Sequence, residues 1–100
     1  MRAVADYLVS YDVETTTREG RRRLRRVARV CSDYGQRVQL SVFECRLDGA
    51  LFETFMARMA DEIDGQQDSL RVYRLPADRE QATRVLGRDR WRDPDEPLIV

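Results

Sequence analysis

The sequence predicts an α+β sandwich with the element order βαββαβ. Three observations carry that expectation. The segments between Thr16 and Gly35 and between Asp48 and Gly65 repeat apolar residues at helical spacing. The runs at 7–12, 37–47 and 68–75 are dense in aliphatic, aromatic and β-branched residues. Tight connections join all of them, which leaves room for one layered domain in a chain of 100 residues.

The first strand is Tyr7–Asp12, YLVSYD, an apolar run that delivers a carboxylate to its end. A Thr-rich turn follows, and Thr16-x-x-Glu19 matches a capping box, so the first helix is expected to start there. Leu24, Val27, Ala28, Cys31 and Tyr34 make its buried stripe, and Gly35 is expected as a left-handed stop. Arg18, Arg22, Arg25 and Arg29 recur along another face, with Arg21, Arg23 and Arg26 nearby. That face reads as a phosphate-binding surface or as a solvated basic helix face.

Residues 36–47 contain neither Pro nor Gly and read as two strands, 37–40 and 42–47, meeting at a kink or bulge near Ser41. Asp48 caps a second helix that carries Leu51, Phe52, Phe55, Met56, Met59 and Ile63 on one side, and Gly65 ends it. The fourth strand, 68–75, closes at Pro76. A short fifth strand is expected at 82–87, ATRVLG, which completes a domain over 1–87. Residues 88–100 read as a C-terminal arm, proline- and acid-rich, with an apolar tip at Leu98–Val100; it is either held away from its own core to meet a partner's surface, the reading favoured here, or folded back on the domain's own sheet.

This order is the split βαβ of the ferredoxin-like sandwich. Such a sheet has helices on one face only. Tyr7, Val9 and Tyr11 alternate with Leu8, Ser10 and Asp12, so both faces carry apolar side chains, which favours a second copy of the chain against the open face. A two-fold dimer would bring two Asp12 carboxylates together. One Asp at a strand end is more often a turn residue or a helix cap.

Composition removes several chemistries. The chain has no histidine, and all eighteen basic residues are arginine. Imidazole bases, Schiff-base lysines and a phosphate-loop lysine are therefore excluded. The zero net charge hides an asymmetry: residues 1–17 carry −2, residues 18–46 carry +6 and the remainder −4. Cys31 and Cys45 fit no metal-ligand spacing and read as reduced core thiols. With no membrane span and no signal peptide in view, the expected compartment is the cytoplasm.

Several of these segments together resemble the CRISPR-associated protein 2 family. They are Tyr11-Asp12 at the first strand end, the arginine-bearing helix and Gly35, then Gln39-x-Ser41-Val42-Phe43-Glu44-Cys45, and Asp68-Ser69-Leu70-Arg71-Val72-Tyr73. The similarity runs from about residue 5 to residue 87. The resemblance implies a homodimeric, Mg²⁺- or Mn²⁺-dependent phosphodiesterase acting on RNA or DNA. It also implies assembly with the CRISPR integrase, CRISPR-associated protein 1, around duplex spacer DNA, with single-stranded RNA as a second substrate class. The family's metal-binding aspartate maps onto Asp12, its neighbouring tyrosine onto Tyr11, and its site serine and phenylalanine onto Ser41 and Phe43. Arg18, Arg22, Arg25, Arg26 and Arg29 are the nucleic-acid ligands expected from helical geometry. Two other roles stand beside the nuclease: a non-catalytic architectural adaptor of the integrase, and a toxin-type ribonuclease of similar fold. A single-strand RNA reader is disfavoured, because the strands lack a platform of central aromatics.

Overall fold

The computed structural model describes residues 3–96. Its elements are β1 (Val4–Asp12), α1 (Arg18–Tyr34), β2 (Gly35–Gln39), β3 (Val42–Asp48), α2 (Gly49–Glu62) and β4 (Ser69–Arg74). The four strands form one sheet in the order β2-β3-β1-β4 with antiparallel neighbours. β3 therefore sits between β1 and β2, as the ferredoxin-like reading requires.

Strand alternation decides which side chains meet the helices. Val9 and Tyr11 of β1 and Phe43, Cys45 and Leu47 of β3 are buried together with Val27, Val30 and Cys31 of α1 and Phe55 and Met59 of α2. Leu24, Ala28 and Tyr34 pack beside them, as the helical stripe predicts. Asp48 caps α2, its carboxylate accepting from the Leu51 amide at 2.8 Å. Cys31 and Cys45 are free, and burial pushes both thiols up to about 12, which makes them inert core groups.

Several boundaries differ from the sequence reading, each for a local physical reason. α1 is capped by Thr17, whose Oγ1 accepts from the Gly20 amide at 3.0 Å, and not by Thr16. The Thr16 amide is instead donated to the Glu14 carboxylate at 3.0 Å, which takes Thr16 out of the cap. Gly35 ends α1 in an extended conformation, φ −160°, and begins β2. Its lack of a side chain serves close approach, because a Cβ there would lie 2.5 Å from both Cys45 Sγ and the Glu44 carbonyl oxygen. The β2–β3 kink is a tight turn through Leu40 and Ser41, with a bulge between Arg37 and Gln39. α2 stops at Glu62 under an Ile63 cap, before Gly65, and Leu51 stays 45% exposed.

The fifth strand expected at 82–87 does not form. Residues 77–82 wind into turns whose amides return to Asp78 and Arg79, and Thr83 Oγ1 donates to the Arg79 carbonyl at 2.7 Å. Gly87 then takes φ 85° and breaks any extension. Val85 and Leu86 are left without a strand partner, 45% and 99% exposed.

The described part of the arm folds back on its own sheet, contrary to the expectation of a segment held away. Gln36 clamps the Arg92 backbone, donating to its carbonyl at 2.7 Å and accepting from its amide at 2.8 Å. Arg46 reaches Asp95 at 2.6 Å and Asp93 at 3.6 Å, so the acids of the arm meet a cation of β3. The apolar tip, Leu98–Val100, lies outside the described residues.

Candidate nucleic-acid and metal site

Asp12 is the last residue of β1 and pairs across the ladder with Ser69 of β4. The same alternation that buries Val9 and Tyr11 turns Asp12 to the opposite, helix-free face, with Ser10 and Leu8. Its side chain is exposed and has no ion-pair partner among the described residues.

Tyr11, Ser41 and Phe43 come together, but under the strand and not beside the Asp12 carboxylate. Tyr11 is 5% exposed and Phe43 fully buried, their rings stacked at 6.2 Å. The Tyr11 hydroxyl donates to the Leu40 carbonyl at 3.4 Å, and the Tyr11 amide donates to the Ser41 carbonyl at 3.2 Å. In this arrangement Tyr11 and Phe43 present no group to a substrate. They tie the 40–41 turn to the end of β1 and so fix the backbone from which Asp12 projects.

The loop after Asp12 is held by Asp68, which sequence reasoning quoted in a motif without a role. The Asp68 side chain has no exposed surface and pairs with Arg23 through two hydrogen bonds, 2.8 and 3.2 Å. It also accepts from the Glu14 amide at 3.1 Å and the Asp64 amide at 3.0 Å. The Arg23 guanidinium, helped by those amides, lowers the Asp68 carboxyl to about 2. Asp68 thereby joins α1, the post-β1 loop and the α2–β4 connection. Gly20 closes the same corner: a Cβ there would fall 1.8 Å from the Glu14 carbonyl oxygen.

Arg22, Arg25, Arg26 and Arg29 line one groove on α1. Arg26 is spoken for by Glu62 at 2.8 Å, and Arg22 faces Glu19 at 3.8 Å. Arg18, Arg25 and Arg29 are exposed and carry no ion pair among the described residues. Like charges at i, i+4 each cost a helix about 0.2–0.5 kcal/mol. A cation in the first turn, as at Arg18, also opposes the helix dipole. The face is thus arranged against helix stability and in favour of an external anion.

A second group absent from the sequence reading lies on the helix-free face. Arg79, 6% exposed, forms two hydrogen bonds with the Glu44 carboxylate, and the Trp91 ring lies 3.9 Å from its guanidinium carbon. The Glu44 carboxylate beside it raises the Arg79 pKa. Sequence offered no signal for this pairing, because the partners lie 35 residues apart.

No group of three or more acidic, histidine or cysteine residues suited to a metal forms among the described residues. Asp12 offers one hard oxygen donor per chain. That fits Mg²⁺, which is commonly bound by one or two carboxylates together with substrate phosphates and water. No described helix is long and apolar enough to cross a membrane.

Comparison with known proteins adds an independent line. Residues 5–83 match the family model of CRISPR associated protein Cas2. The chain is 46% identical over 93 residues to the CRISPR-associated endoribonuclease Cas2 1 of Moorella thermoacetica, covering 93% of this chain and 97% of that one. It is 41% identical over 92 residues to the CRISPR-associated endonuclease Cas2 of Halalkalibacterium halodurans, covering 92% and 96%. Among solved structures, Streptococcus pyogenes Cas2 at pH 6.5 superposes with a TM-score of 0.75 at 48% identity, covering 82% of this chain and 99% of that one.

Proposed function

This chain belongs to the CRISPR-associated protein Cas2 family, and from that premise we propose that it is a homodimeric, Mg²⁺-dependent nuclease that assembles with the CRISPR integrase around new spacer DNA. The observation that carries the reading is that one chain presents both an exposed carboxylate, Asp12, with no ion-pair partner among the described residues, and, on α1, an arginine face of which Arg18, Arg25 and Arg29 carry no ion pair among those residues. The names of the relatives, endoribonuclease and endonuclease, support phosphodiester hydrolysis as the reaction.

In this reading Asp12 and its mate from a second copy would hold the ion. When bound, the ion supplies a polarised water and a counter-charge for the phosphate. The chain itself does the remaining work. Arg18, Arg22, Arg25, Arg26 and Arg29 take the backbone phosphates, with affinity that depends on salt and little on sequence. Tyr11, Phe43 and the Ser41 carbonyl hold the strand end, while Asp68 and Arg23 hold the loop behind it. Asp12→Asn is the test. It keeps the shape, removes the charge, and is expected to abolish metal-dependent cleavage while duplex binding stays within about twofold of wild type. Equal cleavage by the variant would return Asp12 to the status of a turn residue.

A second reading, the architectural adaptor, is favoured by one specific contrast: the chain commits one carboxylate to chemistry but a whole helix face to phosphates. Its expected outcome is spacer capture by the Asp12→Asn variant with integrase at the wild-type level.

A further inference from the structure

Two ion pairs fix which flank of α1 faces its neighbour. Arg26 meets Glu62 and Asp33 meets Arg58, so that flank lies against α2. Helical spacing puts Arg21, Arg25, Ala28 and Ser32 on the opposite flank. α1 packs over β2 and β3, and β2 is the outermost strand on that side of the sheet. The flank therefore overlooks the free edge of β2.

Arg37 rises from that edge into the same step. It pairs across the ladder with Phe43, whose ring is buried beneath the helices, so the Arg37 side chain is also on the helix side. Its guanidinium carbon lies 5.1 Å from the Phe43 ring centroid. Burial pushes the Cys31 thiol of α1 up to about 12, and the Arg37 charge opposes that rise, which sets Arg37 in the seam between α1 and β2. The residue is exposed, and its guanidinium makes no hydrogen bond or ion pair among the described residues. Arg58 and Arg79 also lie over rings, but each holds a carboxylate. Covering the Phe43 ring needs only an apolar stem, so the five donors and the charge of Arg37 are left over. The helix side is also clear of the face against which the dimer reading sets a second copy.

We propose that Arg37 binds a backbone phosphate of duplex nucleic acid, so that the cationic surface of α1 continues over the edge of the sheet onto β2. The assignment rests on the reading of the α1 arginines as phosphate ligands and extends it. Arg21 donates to the Thr15 carbonyl at 3.3 Å, which orients the side chain and leaves its charge uncompensated, and Arg25 carries no ion pair among the described residues. With Arg37 these cations stand at two levels, one on the helix and one on the sheet, about 10 Å apart by the usual spacing of packed elements. A single strand follows one level. A duplex presents two backbones that face each other across a minor groove about 6 Å wide, and it engages both levels at once.

The experiment titrates a fluorescein-labelled 20-base-pair DNA duplex of mixed sequence by anisotropy in EDTA, from about 50 to about 300 mM NaCl. Arg37→Met keeps a stem over Phe43 and removes the charge. It is expected to weaken duplex binding about fivefold at 100 mM NaCl and to flatten the log–log salt slope by about 0.9, the value for one phosphate contact on B-DNA. Arg37→Lys keeps the charge and is expected to keep the slope. Arg58→Met is the control, because it removes the same charge from another ring-stacked arginine, on α2, and is expected to leave the slope as in wild type. Urea midpoints of the same samples check that each variant is folded. An unchanged slope in Arg37→Met overturns the proposal. So does an equal loss in Arg58→Met, which would make the effect one of net charge, or an equal fold-loss on a single-stranded 20-mer, which would remove the two-level geometry. The Arg22, Arg25 and Arg29 triple glutamine variant separates the premise from the proposal. A flattened slope in the triple variant alone keeps the α1 reading and rejects Arg37; a flattened slope in Arg37→Met alone rejects the α1 reading and leaves Arg37 as a phosphate ligand.

Discussion

Replacing Asp68 with asparagine tests whether the corner behind Asp12 is held by charge. In the wild type, the fully buried carboxylate carries two hydrogen bonds from Arg23 and one each from the amides of Glu14 and Asp64. Breaking a buried ion pair costs about 3–5 kcal/mol. Two features reduce that here: Arg23 keeps 11% of its side-chain surface in water, and the asparagine carbonyl still accepts an amide. A loss of about 2–3 kcal/mol at pH 7 is expected. With a urea m-value of about 1.5 kcal/mol per molar, the midpoint falls by about 1.3–2 M. The pH dependence provides a sharper check. Asp68 is depressed from its ordinary 3.8 to about 2, so its stabilisation is complete above pH 3.8 and lost as pH falls through about 2. The wild type should surrender up to about 2 kcal/mol over that window, and the variant should lack this component. Urea melts of both proteins at pH 7, 4, 3 and 2 make the comparison. Midpoints within error at pH 7, or parallel acid limbs, would refute the argument that the Arg23–Asp68 pair holds this corner.

The glycines, the α1 arginines and the Arg79–Glu44 pair make further tests. Gly20→Ala, normally favourable in a helix by about 1 kcal/mol, should here destabilise by about 1–3 kcal/mol, because the new methyl meets the Glu14 carbonyl at 1.8 Å. Gly49→Ala, with nothing within 4 Å, should be neutral or stabilising; urea melts check both variants. Replacing Arg22, Arg25 and Arg29 together by glutamine should weaken unrelated duplexes alike and flatten the log–log salt slope by up to about one unit per lost contact. An unchanged slope would place the phosphates elsewhere. Arg79→Ala strands the buried Glu44 carboxylate and removes the cation under Trp91, so limited trypsin digestion should cut between Arg84 and Arg92 faster than in wild type. Equal digestion would mean that the arm is held by Gln36 and Arg46 alone.

What could be read without coordinates was local. The α1 stripe, the Asp48 cap, the order of strands and helices, and Asp12 at a strand end all follow from periodicity and capping chemistry, which act within a few residues. Even the opposition of Tyr11 and Asp12 follows from strand alternation. The tertiary structure decided which of the two faces is covered, and therefore that Tyr11 and Phe43 support the strand while Asp12 stays in solvent. It also assigned partners over long separations: Arg23 to Asp68 across 45 residues, Arg79 to Glu44 across 35, and Gln36 to Arg92 across 56. An arginine-rich chain offers many equivalent cations to each acid, and only the packed backbone removes all but one. The glycines show the same division. Gly35 reads as a helix stop from its position, yet the reason for glycine is Cys45 on another strand, 2.5 Å from where a Cβ would stand.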